Sequence, residues 1–137
     1  ITPIITGSLN RKQTQSLAST ITNIYSNETL IIISSDFTHY GHSFNYMPFT
    51  ANIAQEIKNI DRTAFQFIIN KDRDGFWNWY HSNQTTICGR YCISILLEFM
   101  NKNHHVMDSH YLQSGQLTSD WTHSVSYKSA IIGVETL

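Results

Sequence analysis

The chain has 137 residues, 41% of them hydrophobic and only 14% charged, with a formal net charge of -1. That is one domain's worth of chain, able to bury roughly two-thirds of its unfolded surface, and the composition excludes wholesale disorder. Charges are scattered singly or in pairs, no apolar run approaches the roughly 20 residues that cross a bilayer, and nothing at the start reads as a signal sequence. Nucleic acid and membrane are therefore not expected partners, and a cytoplasmic location is expected.

ITPIITG predicts a β-branched strand over residues 2–6, closed by Gly7. A strand as the first element suggests further chain upstream. Residues 11–26 carry Leu17, Ile21, Ile24 and Tyr25 at helical spacing, with Asn10 placed as the N-cap. The near-continuous apolar run over residues 28–34 fits a strand covered on both faces of a parallel sheet. Together these segments predict a βαβ unit with a right-handed crossover. Residues 36–48 form a loop rich in Gly, His and aromatics, followed by helices over about 50–59 and 61–70. In the next helical segment, 72–83, Phe76, Trp77 and Tyr80 form a core-facing stripe. The helix over 91–102 turns Ile93, Leu96, Leu97 and Met100 inward. Residues 104–113 alternate loosely, and 124–135 are β-branched and long enough for a buried strand. Alternating β and α segments, with strands closing the chain, define an α/β protein.

The candidate chemistry begins in LIIISSDFTHYGH, residues 30–42, where an apolar run ends in a carboxylate and two imidazoles. In open α/β sheets the carboxyl rim of the strands is where ligands bind. A carboxylate three residues before an imidazole can accept its ring N–H and fix its tautomer. His39 is then a general acid/base or a metal ligand, with Asp36 orienting it; the bland reading is a turn-capping Asp and a loop His. His42 is a weaker partner, because Tyr40 and Gly41 suggest a turn that separates it from His39. Cys88 lies in TTICGR, just before a helix, where free backbone N–H groups, the macrodipole and nearby Arg90 favour an anion. It reads either as a nucleophile or soft-metal ligand, or as a small buried hydrophobe. Cys92, one turn further on, reads as the hydrophobe. On one helix the two thiols project in parallel, which disfavours a disulfide and fits a reducing compartment. His81, His104, His105, His110 and His123 have no ligand spacing, and phosphate-loop, CxxC, HExxH and GxSxG patterns are absent.

Taken in order, ITPIITGSLN, SSDFTHYG, TTICGR and DWTHSVSYKSAIIGV resemble the Memo family, the "mediator of cell motility" proteins and their prokaryotic relatives called AmmeMemoRadiSam system protein B. The likeness runs over essentially the whole chain. Family members are about twice as long, so residues 1–137 resemble the C-terminal half of a Memo-like domain. The resemblance implies a fold like that of the class III extradiol dioxygenases, with a central, mostly parallel sheet, flanking helices and a non-haem metal at the sheet rim. It implies Cys88 as a metal ligand for iron or copper, His39 as the neighbouring acid/base, Asp36 as its support, and two further histidine ligands from the missing N-terminal half. Cys92 stands where the family commonly has proline, and His123 where it has serine or another small polar residue.

Two functions follow. One is metal-dependent, dioxygenase-like oxidoreductase chemistry, with the thiolate an unusual donor beside the common 2-His-1-carboxylate face. The other is a degenerate-site binding module for phosphopeptides or signalling partners in cell motility, with Arg90 meeting the anion. An inactive fragment, paired along an exposed sheet edge, is the remaining reading.

Overall fold

Residues 1–134 are described in a computed structural model of the chain, and they form an α/β arrangement. Helix α1 (Arg11–Ile24) starts at a capping box: the Asn10 side chain accepts the Gln13 N–H (3.0 Å) and the Gln13 side chain accepts the Asn10 N–H (2.9 Å). It buries Thr14 and Ala18, whereas Ile24, expected on its inner face, is 72% exposed. Helix α2 (Ile53–Ile69) runs unbroken through the division expected at residue 60. Asp61, expected to begin the second of the two helices, lies inside α2. Its carboxylate is turned inward and engaged by Thr38 and Tyr111. Helix α3 (Arg73–Asn83) is capped by the Asp72 carboxylate, which accepts the Gly75 N–H (2.8 Å). Helix α4 (Arg90–Phe99) follows, and α1 packs against it.

The sheet has three strands: β1 (His39–Gly41), β2 (His104–Gln113) and β3 (His123–Val134), in the order β1-β3-β2. Both pairings are antiparallel, with His39 opposite Val125 and Leu112 opposite Tyr127. A short helix, α5 (Ser114–Thr118), connects β2 to β3. The core lies where α2, α3 and α4 meet the start of β1, around Phe37, Phe65, Phe76, Ile87 and Leu97. Phe76 and Tyr80 are buried there, as the aromatic stripe predicts.

The parallel sheet expected from the sequence is not formed among the described residues. Residues 2–6 and 28–34 are not strands in this structure. Residues 30–35 still alternate between exposed and partly buried positions, so the two-residue strand period is kept on one face only. A ladder requires a neighbour at about 4.8 Å to take the backbone N–H and C=O groups, and neither segment has one. Ile5, Leu30 and Ile32 are consequently 97%, 82% and 80% exposed. The last expected strand residue, Glu135, lies outside the described residues. No described helix is long and apolar enough to cross a membrane.

His104 opens β2 and is buried, its Nδ1 accepting the Asn101 N–H at 3.1 Å. Burial lowers its pKa, and the Lys71 ammonium beside it acts in the same direction. Between that lowered value and the ordinary one of about 6.5, the unfolded chain holds more protons than the folded chain, so stability is lost as pH falls through this window. The urea midpoint should drop on going from about pH 7.5 to about pH 5.5, and the drop should be smaller in His104→Asn.

Candidate functional site

Two segments 52 residues apart in sequence clasp one another beside the N-terminus of α4. The Asp36 N–H donates to Cys88 Sγ at 3.1 Å, and the Gly89 N–H donates to Ser35 Oγ at 3.0 Å. The Ser35 hydroxyl then donates to the Asp36 carbonyl at 3.0 Å. Such close approach explains the glycine after Cys88: a Cβ at Gly89 would overlap Cβ and Oγ of Ser35 and press on the Ser34 carbonyl oxygen at 3.0 Å. The other motif glycine, Gly41, sits at φ 134°, and a Cβ there would stand 2.5 Å from the Thr122 carbonyl oxygen.

His39 is held more tightly than any other imidazole near the clasp. Its backbone N–H donates to Thr86 Oγ1 (2.8 Å), and that hydroxyl donates back to the His39 carbonyl (2.9 Å). Nδ1 lies 3.0 Å from two carbonyl oxygens, those of Phe37 and Thr86. Carbonyls only accept, so Nδ1 carries the proton and the lone pair sits on Nε2. Phe44 packs edge-on to the ring at 5.0 Å. Asp36 is thus not the group that fixes the tautomer. Its Oδ2 is 3.8 Å from Nε2, beyond hydrogen-bond length, and the carboxylate is about half exposed.

The donor atoms of Asp36, His39 and Cys88 all lie within 4.8 Å of one another. The sequence names these three residues; the fold brings them to one place. A carboxylate oxygen and a ring nitrogen lone pair that face each other both accept, so a shared donor such as water or a proton, or a metal ion, can bridge them. The set also fits a metal sterically. Tetrahedral ligation with bonds of about 2.0–2.3 Å sets donors about 3.3–3.8 Å apart, so the Asp36–His39 separation already matches and only the exposed Cys88 thiol has to swing inward. Sulfur, imidazole and carboxylate together suit a borderline or soft transition metal.

Arg90 donates to the Ile87 carbonyl (3.4 Å) and lies over the Tyr91 ring, 5.0 Å from its centroid. His42 is exposed and outside the three-residue group. The remaining histidines have local roles: His123 Nδ1 lies 2.8 Å from Ser43 Oγ, His81 Nδ1 meets the Trp77 carbonyl, and His110 pairs with Asp108. Cys92 lies beside Thr6, 3.3 Å from its hydroxyl. Three contributors escape a reading of the motifs alone: Ser35, Thr86 and Asp61. Ser35 and Thr86 do lie within or beside SSDF and TICGR, but their partners are non-local. Nothing in the sequence around Asp61 marks it as buried.

The family model for Memo-like proteins matches residues 1–131. The protein memo-1 homolog of Caenorhabditis elegans is 31% identical over 98% of this chain and 42% of its own length. The MEMO1 proteins of Xenopus laevis and Homo sapiens are 31% and 28% identical, each over 98% of this chain and 48% of their own length. The chain belongs to the Memo-like family and spans about half the length of the curated relatives it matches.

Substituting Gly89→Ala should force residues 34–36 away from Cys88, because the obstruction includes backbone. Overpacking of this kind costs about 1–3 kcal/mol, readable as a lower urea midpoint.

Proposed function

We propose that this Memo-like chain carries a metal-dependent oxidoreductase site, dioxygenase-like in class, with iron or copper held at the end of the 28–36 segment. The observation that supports the reading is the convergence of Asp36, His39 and Cys88 donor atoms within 4.8 Å. Cys88 supplies sulfur, Asp36 a carboxylate oxygen and His39 its Nε2 lone pair. When bound, such a metal supplies one-electron exchange and a coordination position for a small substrate. His39 Nε2 has a single lone pair, so it holds either a proton or the metal. Metal uptake therefore displaces a proton from this site at pH values where the imidazole is charged. Without metal, the same nitrogen is the acid/base group, held in place by Thr86 and the Phe37 carbonyl.

Cys88→Ser and His39→Ala each test this. In the full-length protein, loss of a true ligand should weaken metal affinity by more than about tenfold, the low end of what loss of an outer-sphere partner costs. Metal content unchanged in Cys88→Ser would remove the sulfur from the site. Oxidation rates indifferent to His39→Ala would remove His39 from the site.

The exposed apolar segments support a partner too: strands equivalent to the half of the relatives that this chain does not cover. Leu30 and Ile32 are largely solvent-exposed here while Ile31 and Ile33 are partly buried. The relatives supply about as much chain again. A surface substitution changes stability by no more than about 0.5 kcal/mol, whereas disruption of a buried strand costs several times that. Leu30→Lys in the full-length protein should cost more than about 2 kcal/mol if this face is covered.

A further inference from the structure

We propose that Asp61, buried on α2 and remote from the three donors in sequence, is a positioning residue that raises the donor strength of His39 through a single peptide group. The proposal rests on His39 acting through Nε2, as described above, and extends it to a residue that no motif contains.

The geometry is a relay. Asp61 is 2% exposed. Its Oδ1 accepts the Thr38 N–H at 3.2 Å, and the Thr38 hydroxyl at 2.6 Å. The Thr38 N–H belongs to the same peptide group as the Phe37 carbonyl. That carbonyl, at the other end of the group, faces His39 Nδ1 at 3.0 Å. A carboxylate drawing on the N–H of an amide increases the electron density on its oxygen. The oxygen then binds the Nδ1 proton more strongly, and more density is left on Nε2. Linked hydrogen bonds reinforce one another by about 10–30% each. The outcome is that of a carboxylate–histidine–metal arrangement, with a peptide inserted between carboxylate and ring.

The surroundings fit this role better than a purely structural one. The carboxylate is met by donors: the Thr38 N–H, the Thr38 hydroxyl, the Ser126 hydroxyl and the Tyr111 hydroxyl, the last at 2.6 Å on Oδ2. Tyr111 is in turn held by Gln113 Nε2 (2.8 Å), which also donates to the Ala54 carbonyl (2.9 Å). On the far side of the relay the Thr38 carbonyl takes the Ser126 N–H (2.9 Å) and hydroxyl (3.2 Å), fixing Thr38 to β3. The peptide between Asp61 and His39 is thus held from α2 and from the sheet at once.

Asp61→Asn in the full-length protein tests the idea, with Tyr111→Phe as the control. Tyr111→Phe removes a hydrogen bond from the same carboxylate but leaves its charge on Thr38. With Co(II) as the probe, Asp61→Asn should weaken binding about 10–100-fold, the usual cost of losing an outer-sphere partner, while Tyr111→Phe stays within about threefold of the parent. The ring 15N signals of His39 should shift in Asp61→Asn and hold in Tyr111→Phe. Equal Co(II) affinity and unmoved His39 signals in folded Asp61→Asn overturn the proposal. If Asp61→Asn does not fold, the unsubstituted protein still decides. His39 should be in its Nδ1–H form, with a scalar coupling across the hydrogen bond from the Thr38 amide to the Asp61 carboxyl carbon. An Nε2–H ring, or no such coupling, overturns it. A parent protein that binds no Co(II) sinks the metal reading instead, and leaves the tautomer and coupling measurements to judge Asp61 alone.

Discussion

The clasp between residues 35–36 and 88–89 is the constraint on which the rest depends. Two backbone N–H groups, one from each segment, are satisfied by side-chain atoms of the other: Asp36 N–H by Cys88 Sγ, Gly89 N–H by Ser35 Oγ. Neither segment has a ladder partner there, so these bonds do for the loop what strand pairing does elsewhere. Gly89 admits the approach because it has no Cβ to meet Ser35. With the clasp in place, Asp36 and Cys88 have almost no freedom to separate, and His39 is three residues away along a chain already fixed by Thr86.

His39 itself shows how a flexible-looking loop is made rigid. Both its backbone groups are taken by one hydroxyl, and its Nδ1 is shared between two carbonyls. A ring oriented this way loses little entropy on accepting a ligand, since rotamer and tautomer are chosen beforehand. Asp36 is different in kind. It is about half exposed, makes no short contact with the ring and is free to reorient toward an incoming cation. One rigid imidazole thus stands beside an adaptable carboxylate and an exposed thiol.

The exposed isoleucines and the sheet geometry are two sides of one fact. Burial of apolar surface contributes about 25 cal/mol per Å², and residues 1–6 and 28–34 leave much of theirs in water. The family places such segments in chains of about twice this length. The antiparallel sheet observed here is built from β1 and the long β2–β3 pair, which need nothing beyond this chain.

Much was legible in the sequence. Helices α1, α3 and α4 form close to the expected spans and Asn10 caps α1 as expected, because those signals act within a few residues. Strands β2 and β3 form close to the expected spans, although β3 is buried only in its first half and leaves Ile131 62% exposed, and the residue types of SSDFTHYG and TTICGR were enough to single out Asp36, His39 and Cys88 and to suggest the family. Partnership is what sequence alone could not supply. Whether 28–34 becomes a strand depends on a neighbour, whether Asp61 faces solvent or enters the core depends on Thr38 and Tyr111, and which atoms orient His39 depends in part on Thr86, 47 residues away. Local signals fix which residues have the right chemistry; only long-range hydrogen bonds and packing decide which of them face one another.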